Sequence, residues 1–433
     1  TRKESSAASD VYKRQKLYNG GLKIYTPMDL KIQKTLEETV ANPAYYRGSF
    51  TDNSGVIQPQ VASVIIDQNT HEVKALVGGR GVGGGQLLNR AIVARQPGSS
   101  IKPISVYLTA FNNGTTAGDI YLDEPIPKSA NFKNPPRNNA NSYQGWTTVR
   151  NLVRRSSNVG AFQVLRDIAV DKESKKNKYA TYSKVYNDDL AINKVVDTLE
   201  SIGVTSIVKP DPKKPNSIRV NDMGFSPLAL GGMTHGISPL EMAGAYTTLA
   251  NKGKYAKPIL VSKILSNTGD TVYKADTKEK EITSEQNAYI LTDILEDVVK
   301  RGTGKNAAFS GMSVAGKTGT TSDKKDVWFC GYTPYLTCSV WIGNDKNETL
   351  HFGSDKAAYL WKEIMKRVHE DMDNKEFEEP DGIYTKYVSG RRELFVDGTK
   401  PHFTGKTYDE DEDDTKSKNT CLLYTSPSPR DRG

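Results

Sequence analysis

The sequence predicts an α+β fold, an antiparallel central sheet flanked by helices on both faces. Three observations carry this. Strand patterns cluster at 61–79 and again at 312–344, with helical patterns between them, and grouping of this kind argues against a βαβ repeat. The runs "VWFCGY" and "LTCSVWIG" are apolar at successive positions, so both of their faces need cover. The length between the polar ends fits one large domain.

The elements follow in order. Residues 22–42 give a short strand and then a helix, with Ile32, Leu36 and Val40 at helical spacing. "VASVIIDQNTHEVKALVGG", 61–79, reads as two β-branched strands around a polar turn. Gly81–Gly85 is a flexible link. Residues 100–112 read as a helix closed by Asn112-Asn113-Gly114, and 115–145, rich in Pro, Asn and Gly, as loop. Helices are expected near 147–155, 157–169, 239–252 and 284–300, with a polar surface insertion at 171–189. Strands at 312–321, 326–332 and 336–344 close the domain.

The two ends read as foreign to the fold. "SSAASDVYKRQ" and "CLLYTSPSPRD" look like translated sequencing-adapter read-through, so 1–15 and 421–433 are set aside as scars. The remainder divides into a linker and domain start at 16–55, the main domain at 56–372 and a polar, acidic, disordered tail at 373–420. The natural chain is expected to be a fragment of a longer protein.

The formal net charge of +8 is modest for this length. It suits an anionic surface, and no Lys/Arg cluster is interleaved with aromatics as a nucleic-acid groove requires. Away from the scars the cysteines are Cys330 and Cys338, with neither a disulfide framework nor a CxxC metal site. They read as buried thiols, a cross-strand disulfide remaining open. No apolar run reaches the ~20 residues of a membrane-spanning helix.

Chemistry enters at "RQPGSSIKPIS", 95–105. Pro103 is tolerated only in a first helical turn, which puts the helix start near Ser99 and Ser100. Lys102 lies three positions after Ser99 and shares its face, whereas it points away from Ser100. A helix start also brings backbone N–H groups beside Ser99. S-x-x-K alone is common. Here it is followed by Ser156-Ser157-Asn158 ahead of a helix and by Lys317-Thr318-Gly319 within a strand pattern. The ordered set S-x-x-K, S-x-N, K-T-G is the one shared by penicillin-binding proteins and class A β-lactamases.

Further stretches narrow the likeness. "GGLKIYTPMDLKIQKTLEE", "NRAIVARQPGSSIKP", "LALGGMTHGISPLEMAGAYTTLANKGKYAKP", "RGTGKNAAF" and "AGKTGTTSDKKDVWFCGYTPYLTCSVWIGND" resemble the transpeptidase region of class A, bifunctional penicillin-binding proteins. The likeness runs from about Gly20 to about residue 370. It implies a serine β-lactamase/DD-peptidase-like fold and a peptidoglycan cross-linking enzyme that β-lactams acylate. It also implies an upstream glycosyltransferase domain and membrane anchor, placing the enzyme at the extracytoplasmic face of the bacterial cytoplasmic membrane.

The resemblance also assigns roles. Ser99 attacks a stem peptide ending in D-Ala-D-Ala, and an amine acceptor later takes the acyl group. Lys102 is the base, Ser156 relays a proton to the leaving amine, and Asn158 holds the substrate amide and Lys102. Lys317 supplies positive potential, and Thr318 and Thr320 bind the substrate carboxylate. The backbone N–H groups of Ser99 and Thr320 form the oxyanion hole. Gly319 lets substrate approach the strand. No metal or organic cofactor is required.

Competing readings are weaker. "GMSVAGKT", 311–318, matches the Walker A letters, but it lacks the strand before and helix after that a phosphate loop needs, so no nucleotide is expected. The histidines sit in no G-x-S-x-G context. A β-lactamase or DD-carboxypeptidase needs a base for water, and only Glu173 with Asn177, in a lysine-rich insertion, loosely fits one. A non-enzymatic β-lactam sensor shares S-x-x-K and K-T-G but not the "GGLKIYT" opening.

Overall fold

"QVASVIID" and "EVKALV" are rich in β-branched residues, which suit a pleated, buried surface. They form β1 (Gln60–Asp67) and β2 (Glu72–Val77), after helix α1 (Leu30–Ala41). The computed structural model describes residues 17–46, 48–81, 88–126, 135–171, 185–210 and 220–402. In chain order there follow a helical run over 98–112, β3 (Ile120–Asp123), β4 (Gly145–Thr148), α2 (Val149–Arg155), α3 (Asn158–Asp167), α4 (Asp188–Ser201), α5 (Pro239–Ala250) and α6 (Glu285–Arg301). Then come β5 (Ala315–Thr320), β6 (Asp326–Tyr332), β7 (Leu336–Gly343), α7 (Ser354–Val368), β8 (Ile383–Val388) and β9 (Arg391–Val396).

The central sheet has the order β5-β6-β7-β1-β2, antiparallel at every junction. Side chains alternate across it. Val64, Ile66, Trp328, Cys330 and Trp341 face a core shared with the 98–112 run, α2–α6 and their connections. Val61, Ile65, Phe329, Cys338 and Val340 face a second core shared with α1 and α7. The expected α+β architecture with cover on both faces is therefore what forms. The alternation also answers the cysteine question. Cys330 and Cys338 are free, and they lie on opposite faces of the sheet, where no disulfide can join them.

Three expectations need correction. The 115–145 loop contains the β3 strand and runs into its hairpin partner β4, paired from Ile120↔Thr148 to Asp123↔Gly145. Its Pro and Asn content falls largely on the connection between those strands. Within the 16–55 segment, Leu36 and Val40 of α1 are buried in the second core, where the expected domain start lies. The 373–420 tail is not disordered up to residue 402. It forms the β8/β9 hairpin, in which Lys386, Arg391 and Arg392 are exposed but Glu393 is buried and paired. Glu393 is fully buried against Arg150 of α2 (Oε2 to Nε, 2.5 Å) and Thr148 (3.1 Å), while Arg150 also meets Asp293 and Asp297 of α6. The helix expected over 100–112 is a chain of 3₁₀ (Gly98–Ile101), π (Pro103–Tyr107) and α (Leu108–Asn112) turns. Pro103, lacking an N–H, sits at the junction of the first two. The scars at 1–15 and 421–433, and Glu173 and Asn177, lie outside the described residues.

Candidate active site

Two segments meet at Gly98. It adopts φ +53°, and a Cβ there would lie 2.6 Å from the Thr320 carbonyl oxygen, so only glycine lets the start of the helical run rest on edge strand β5. Trp328 of β6 steadies the approach by donating its indole N–H to the Gln96 carbonyl at 2.9 Å. Gly319 has the matching role. A Cβ on it would meet Pro97 O at 2.3 Å and Ser100 Oγ at 2.8 Å. The close approach it permits here is that of the protein's own 97–100 turn.

The two serines are distinguished by burial. Ser100 is fully buried, donates its hydroxyl to Pro97 O at 2.7 Å, and accepts at its carbonyl from Tyr246 Oη of α5 at 2.6 Å. Ser99 is partly exposed, and its hydroxyl forms no hydrogen bond among the described residues.

Lys102 is fully buried. Its amine donates to Asn158 Oδ1 (2.7 Å), Ser156 O (3.0 Å) and Ser157 O (3.1 Å). The expected contact with Ser99 is not among its bonds. The 3₁₀ geometry does eclipse positions 99 and 102, but three oxygens of the 156–158 segment draw the amine instead. Burial, and then the positive charge of Lys317, hold the Lys102 amine well below the usual lysine range, with Asp123 pulling the other way. The site thus disfavours the ammonium in advance yet surrounds it with three acceptors, an arrangement suited to receiving a proton.

Ser156 closes α2 in the left-handed region at φ 59°, which turns its hydroxyl toward β5. There it accepts from Lys317 Nζ at 2.9 Å, and the same amine donates to Thr318 O at 3.0 Å. Lys317 is fully buried, and burial pushes it down to about 7. Asn158 opens α3, its Nδ2 donating to Arg137 O at 2.8 Å. Thr320 is exposed, whereas Thr318 is nearly buried and pairs its hydroxyl with that of Thr303 at 2.7 Å. The Thr321 N–H to Asp326 O bond (3.1 Å) sets the ladder alternation, so the Thr320 N–H points off the outer edge of β5, beside Gly98 and Ser99.

The structure therefore joins Lys102, Ser156, Asn158 and Lys317 in one hydrogen-bonded cluster, with Ser99 at the 97–100 turn that rests on Gly319 and Thr320. Sequence reading missed Asp123, Asn138 and Thr303. The first two lie in a Pro/Asn-rich stretch without periodicity. Thr303 lies in "RGTGK", noted only as part of a likeness. The Walker-like letters end mid-strand: Lys317 and Thr318 belong to β5, and strand β6 follows where a phosphate loop needs a helix.

A central antiparallel sheet with a serine–lysine pair at the start of a helix, against the lysine of an edge strand, defines an active-site-serine fold of the penicillin-recognising kind. Comparison with known proteins narrows this. The family model for the penicillin binding protein transpeptidase domain matches residues 61–366. The chain belongs to that family, in its class A branch. It is 35% identical over 416 residues to penicillin-binding protein 1A of Clostridium botulinum strain Langeland, covering 89% of this chain and 46% of that protein. It is 32% identical to penicillin-binding protein 1F of Bacillus subtilis, covering 82% of this chain and 44% of that protein. The chain thus spans about half the length of the curated relatives it matches.

Among solved structures, the PonA1 protein of Mycobacterium tuberculosis, determined in complex with penicillin V, has a TM-score of 0.67 at 22% identity, covering 92% of this chain and 96% of that one. Penicillin-binding protein 1A of Haemophilus influenzae gives 0.69 at 19% identity, covering 94% and 76%. These likenesses bear on fold.

Proposed function

We propose that this segment is a serine-type D-Ala-D-Ala transpeptidase domain that cross-links peptidoglycan stem peptides and is acylated by β-lactams. The observation that carries the reading is the shared cluster in which Lys102 meets Asn158 while Lys317 meets Ser156, beside a free Ser99 hydroxyl.

The chemistry follows from the geometry. Ser99 Oγ attacks the penultimate D-Ala carbonyl and gives its proton to the Lys102 amine, which exchanges one of its present contacts for it. The new ammonium keeps oxygen partners from the 156–158 segment, so charge forms where acceptors already stand. The oxyanion faces the N–H groups of Ser99 and Thr320. As the C–N bond breaks, Ser156 passes its hydroxyl proton to the departing D-Ala amine and is resupplied by Lys317, 2.9 Å away. Lys317 and the Thr318 and Thr320 hydroxyls receive the substrate carboxylate. An acceptor amine then attacks the Ser99 ester and gives up its proton to Ser156 and so to Lys317, restoring the one spent on D-Ala, while Lys102 returns the hydroxyl proton to Ser99. An amine that binds in the cleft outcompetes water through proximity.

The names of the relatives support a setting at the extracytoplasmic face of the cytoplasmic membrane, tethered through an upstream segment that also carries a glycosyltransferase domain. No helix among the described residues is long and apolar enough to cross a membrane.

Mass spectrometry tests the reading directly. Incubation with a penicillin should add one penicillin mass to the intact protein, stable over hours. A thioester donor should turn over faster when a D-amino acid is added. Rapid penicillin turnover indifferent to added amine would make the domain a hydrolase instead.

A further inference from the structure

Behind the 156–158 segment lies a buried polar group that these steps do not use. Asp123, at the end of β3, is 1% exposed and forms no ion pair among the described residues. Its Oδ1 accepts from Ser157 Oγ at 2.8 Å and from Asn138 Nδ2 at 2.7 Å, and its Oδ2 accepts the Gln144 N–H at 3.2 Å. Asn138 in turn accepts, at Oδ1, the N–H groups of Asn158 (2.8 Å) and Val159 (3.1 Å). It thereby caps α3 beside Ser157, whose Oγ accepts the Gly160 N–H at 2.8 Å. A buried carboxylate is costly unless hydrogen-bonded or paired, and here three donors hold it. All but the Gln144 contact lead toward the segment whose oxygens surround the Lys102 amine.

The charges facing Lys102 are few. From β5 comes Lys317, joined through Ser156, and from β3 comes Asp123, on the far side of Ser157. Tyr107, on the same helical run, is a phenol that burial, and after it Asp123, keeps protonated. The residues nearest the amine from α2 and α3, Ser156, Ser157 and Asn158, are neutral. Lys102 therefore sits between one positive and one negative partner.

We propose that Asp123 is a positioning and charge-balancing residue of the acyl-transfer site. Through Ser157 and Asn138 it fixes the three oxygens around Lys102, and its charge stabilises the ammonium formed when Lys102 takes the Ser99 proton. Asp123 stands outside the proton path: the Ser99 hydrogen moves to Lys102 Nζ and stays there until the acceptor step returns it to Ser99. The inference rests on the reading of Ser99 and Lys102 given under Proposed function.

The test is the pH dependence of penicillin acylation in the wild type and in Asp123→Asn, Asp123→Glu and Asn138→Ala. Removing the negative charge makes the Lys102 ammonium less favourable, so the neutral base persists to lower pH. Asp123→Asn should move the acid limb down by about one pH unit and lower the plateau rate about tenfold, since a weaker base works less well. That limb belongs to the coupled Lys102–Lys317 pair rather than to one residue. Asn138→Ala removes the α3 cap and one neutral donor to Asp123 but leaves the charge, so it should slow acylation with the limb unmoved. An Asp123→Asn limb that coincides with wild type overturns the proposal, because a purely structural role lowers the rate without shifting it.

Thermal unfolding checks that the variants fold. Should Asp123→Asn fail to fold, Asp123→Glu decides: it keeps the charge but displaces the hydrogen bonds, so it must acylate more slowly with the limb in place. A wild-type rate there, or a shifted limb, overturns the proposal. Failure of the underlying reading looks different. It appears as a wild type that penicillin does not acylate, or as Ser99→Ala protein that still labels.

Discussion

Lys317 Nζ and Ser156 Oγ are 2.9 Å apart, and the Thr318 carbonyl takes a second proton of the same amine at 3.0 Å. Two of the three protons of a Lys317 ammonium are thus committed inside the protein before a ligand arrives. Through Ser156, whose carbonyl holds Lys102 at 3.0 Å, the two buried lysines share one residue. The positive charge of Lys317 therefore adds to burial in disfavouring an ammonium at Lys102.

This has a consequence for stability. Burial pushes Lys317 down to about 7 from the ordinary 10.5, so above that point the unfolded chain binds more protons than the folded one. Stability must then rise with pH from about 7 and be lost as pH falls through the folded value. The one-proton difference at Lys317 contributes roughly 2 kcal/mol between pH 7 and 8.5, read as about 3 °C in thermal midpoint. Lys317→Met should remove this contribution and leave that of Lys102, which burial also holds well below its ordinary value. The window closes near pH 9, where Cys330 and Cys338, raised by burial (Cys338 to about 12), act with the opposite sign.

The two serines separate chemistry from packing. Ser99→Ala should abolish labelling by a fluorescent penicillin and leave the thermal midpoint near wild type. Ser100→Ala should retain labelling but lose about 1–2 kcal/mol, because the Ser100 hydroxyl is buried and bonded to Pro97 O. The adduct peptide identifies the residue by mass spectrometry. An acyl group on Ser100 would contradict the burial argument.

What sequence could and could not reveal follows from the reach of its signals. Helix α6 and strands β5–β7 were legible because period and β-branching are local. The motif residues were legible because Ser99 with Lys102, and Lys317 with Thr318, are neighbours in the chain. The α2–α3 junction was placed within two residues of Ser156 and Ser157. Asp123 and Asn138 were not legible, since their meaning arises only when the end of β3 lies behind Ser157, 34 residues away in the chain. Glu393 was hidden for the same reason. A glutamate in a polar stretch reads as solvated until an arginine from α2 is folded against it. Helices α4 and α7 went unread, although Leu360, Trp361 and Ile364 recur at helical spacing and bury one face of α7.

Gly319→Ala tests the contact between strand and turn. The added Cβ would lie 2.3 Å from Pro97 O and 2.8 Å from Ser100 Oγ, too close to tolerate, and one neighbour is backbone. The 97–100 turn must then lift from β5, separating the Ser99 and Thr320 N–H groups. The expected cost is about 1–3 kcal/mol in stability, with acylation slowed more than that loss of folded protein explains. Denaturant unfolding and acylation kinetics on the same sample read the two effects.

The C-terminal hairpin should be required for the domain. Glu393 is fully buried against Arg150, in the helix that ends at Ser156. Truncation before Gly382 leaves Arg150 with Asp293 and Asp297 but removes its most buried partner. Breaking a buried pair costs about 3–5 kcal/mol, so the truncated protein should unfold at clearly lower denaturant concentration. An unchanged midpoint would return 383–396 to the status of a dispensable tail.

Thr303 offers the last prediction, and it concerns how the substrate carboxylate is read. Its hydroxyl lies 2.7 Å from that of Thr318, which is itself only 4% exposed, while Thr303 is exposed. A hydroxyl has one proton to give and two lone pairs to receive with. When Thr303 donates, the Thr318 proton is free to turn toward an incoming carboxylate, and Lys317 supplies the charge that draws it. Without that donor the Thr318 hydroxyl is less firmly aimed. Thr303→Val keeps the side-chain shape and removes the donor. It should lower acylation by a carboxylate-bearing penicillin roughly three- to tenfold, the worth of about one hydrogen bond. The same penicillin as its methyl ester should react equally with both proteins, and Thr303→Ser should restore the carboxylate form. Equal losses on acid and ester would mean that Thr303 acts through packing of the 301–305 segment and not on the carboxylate.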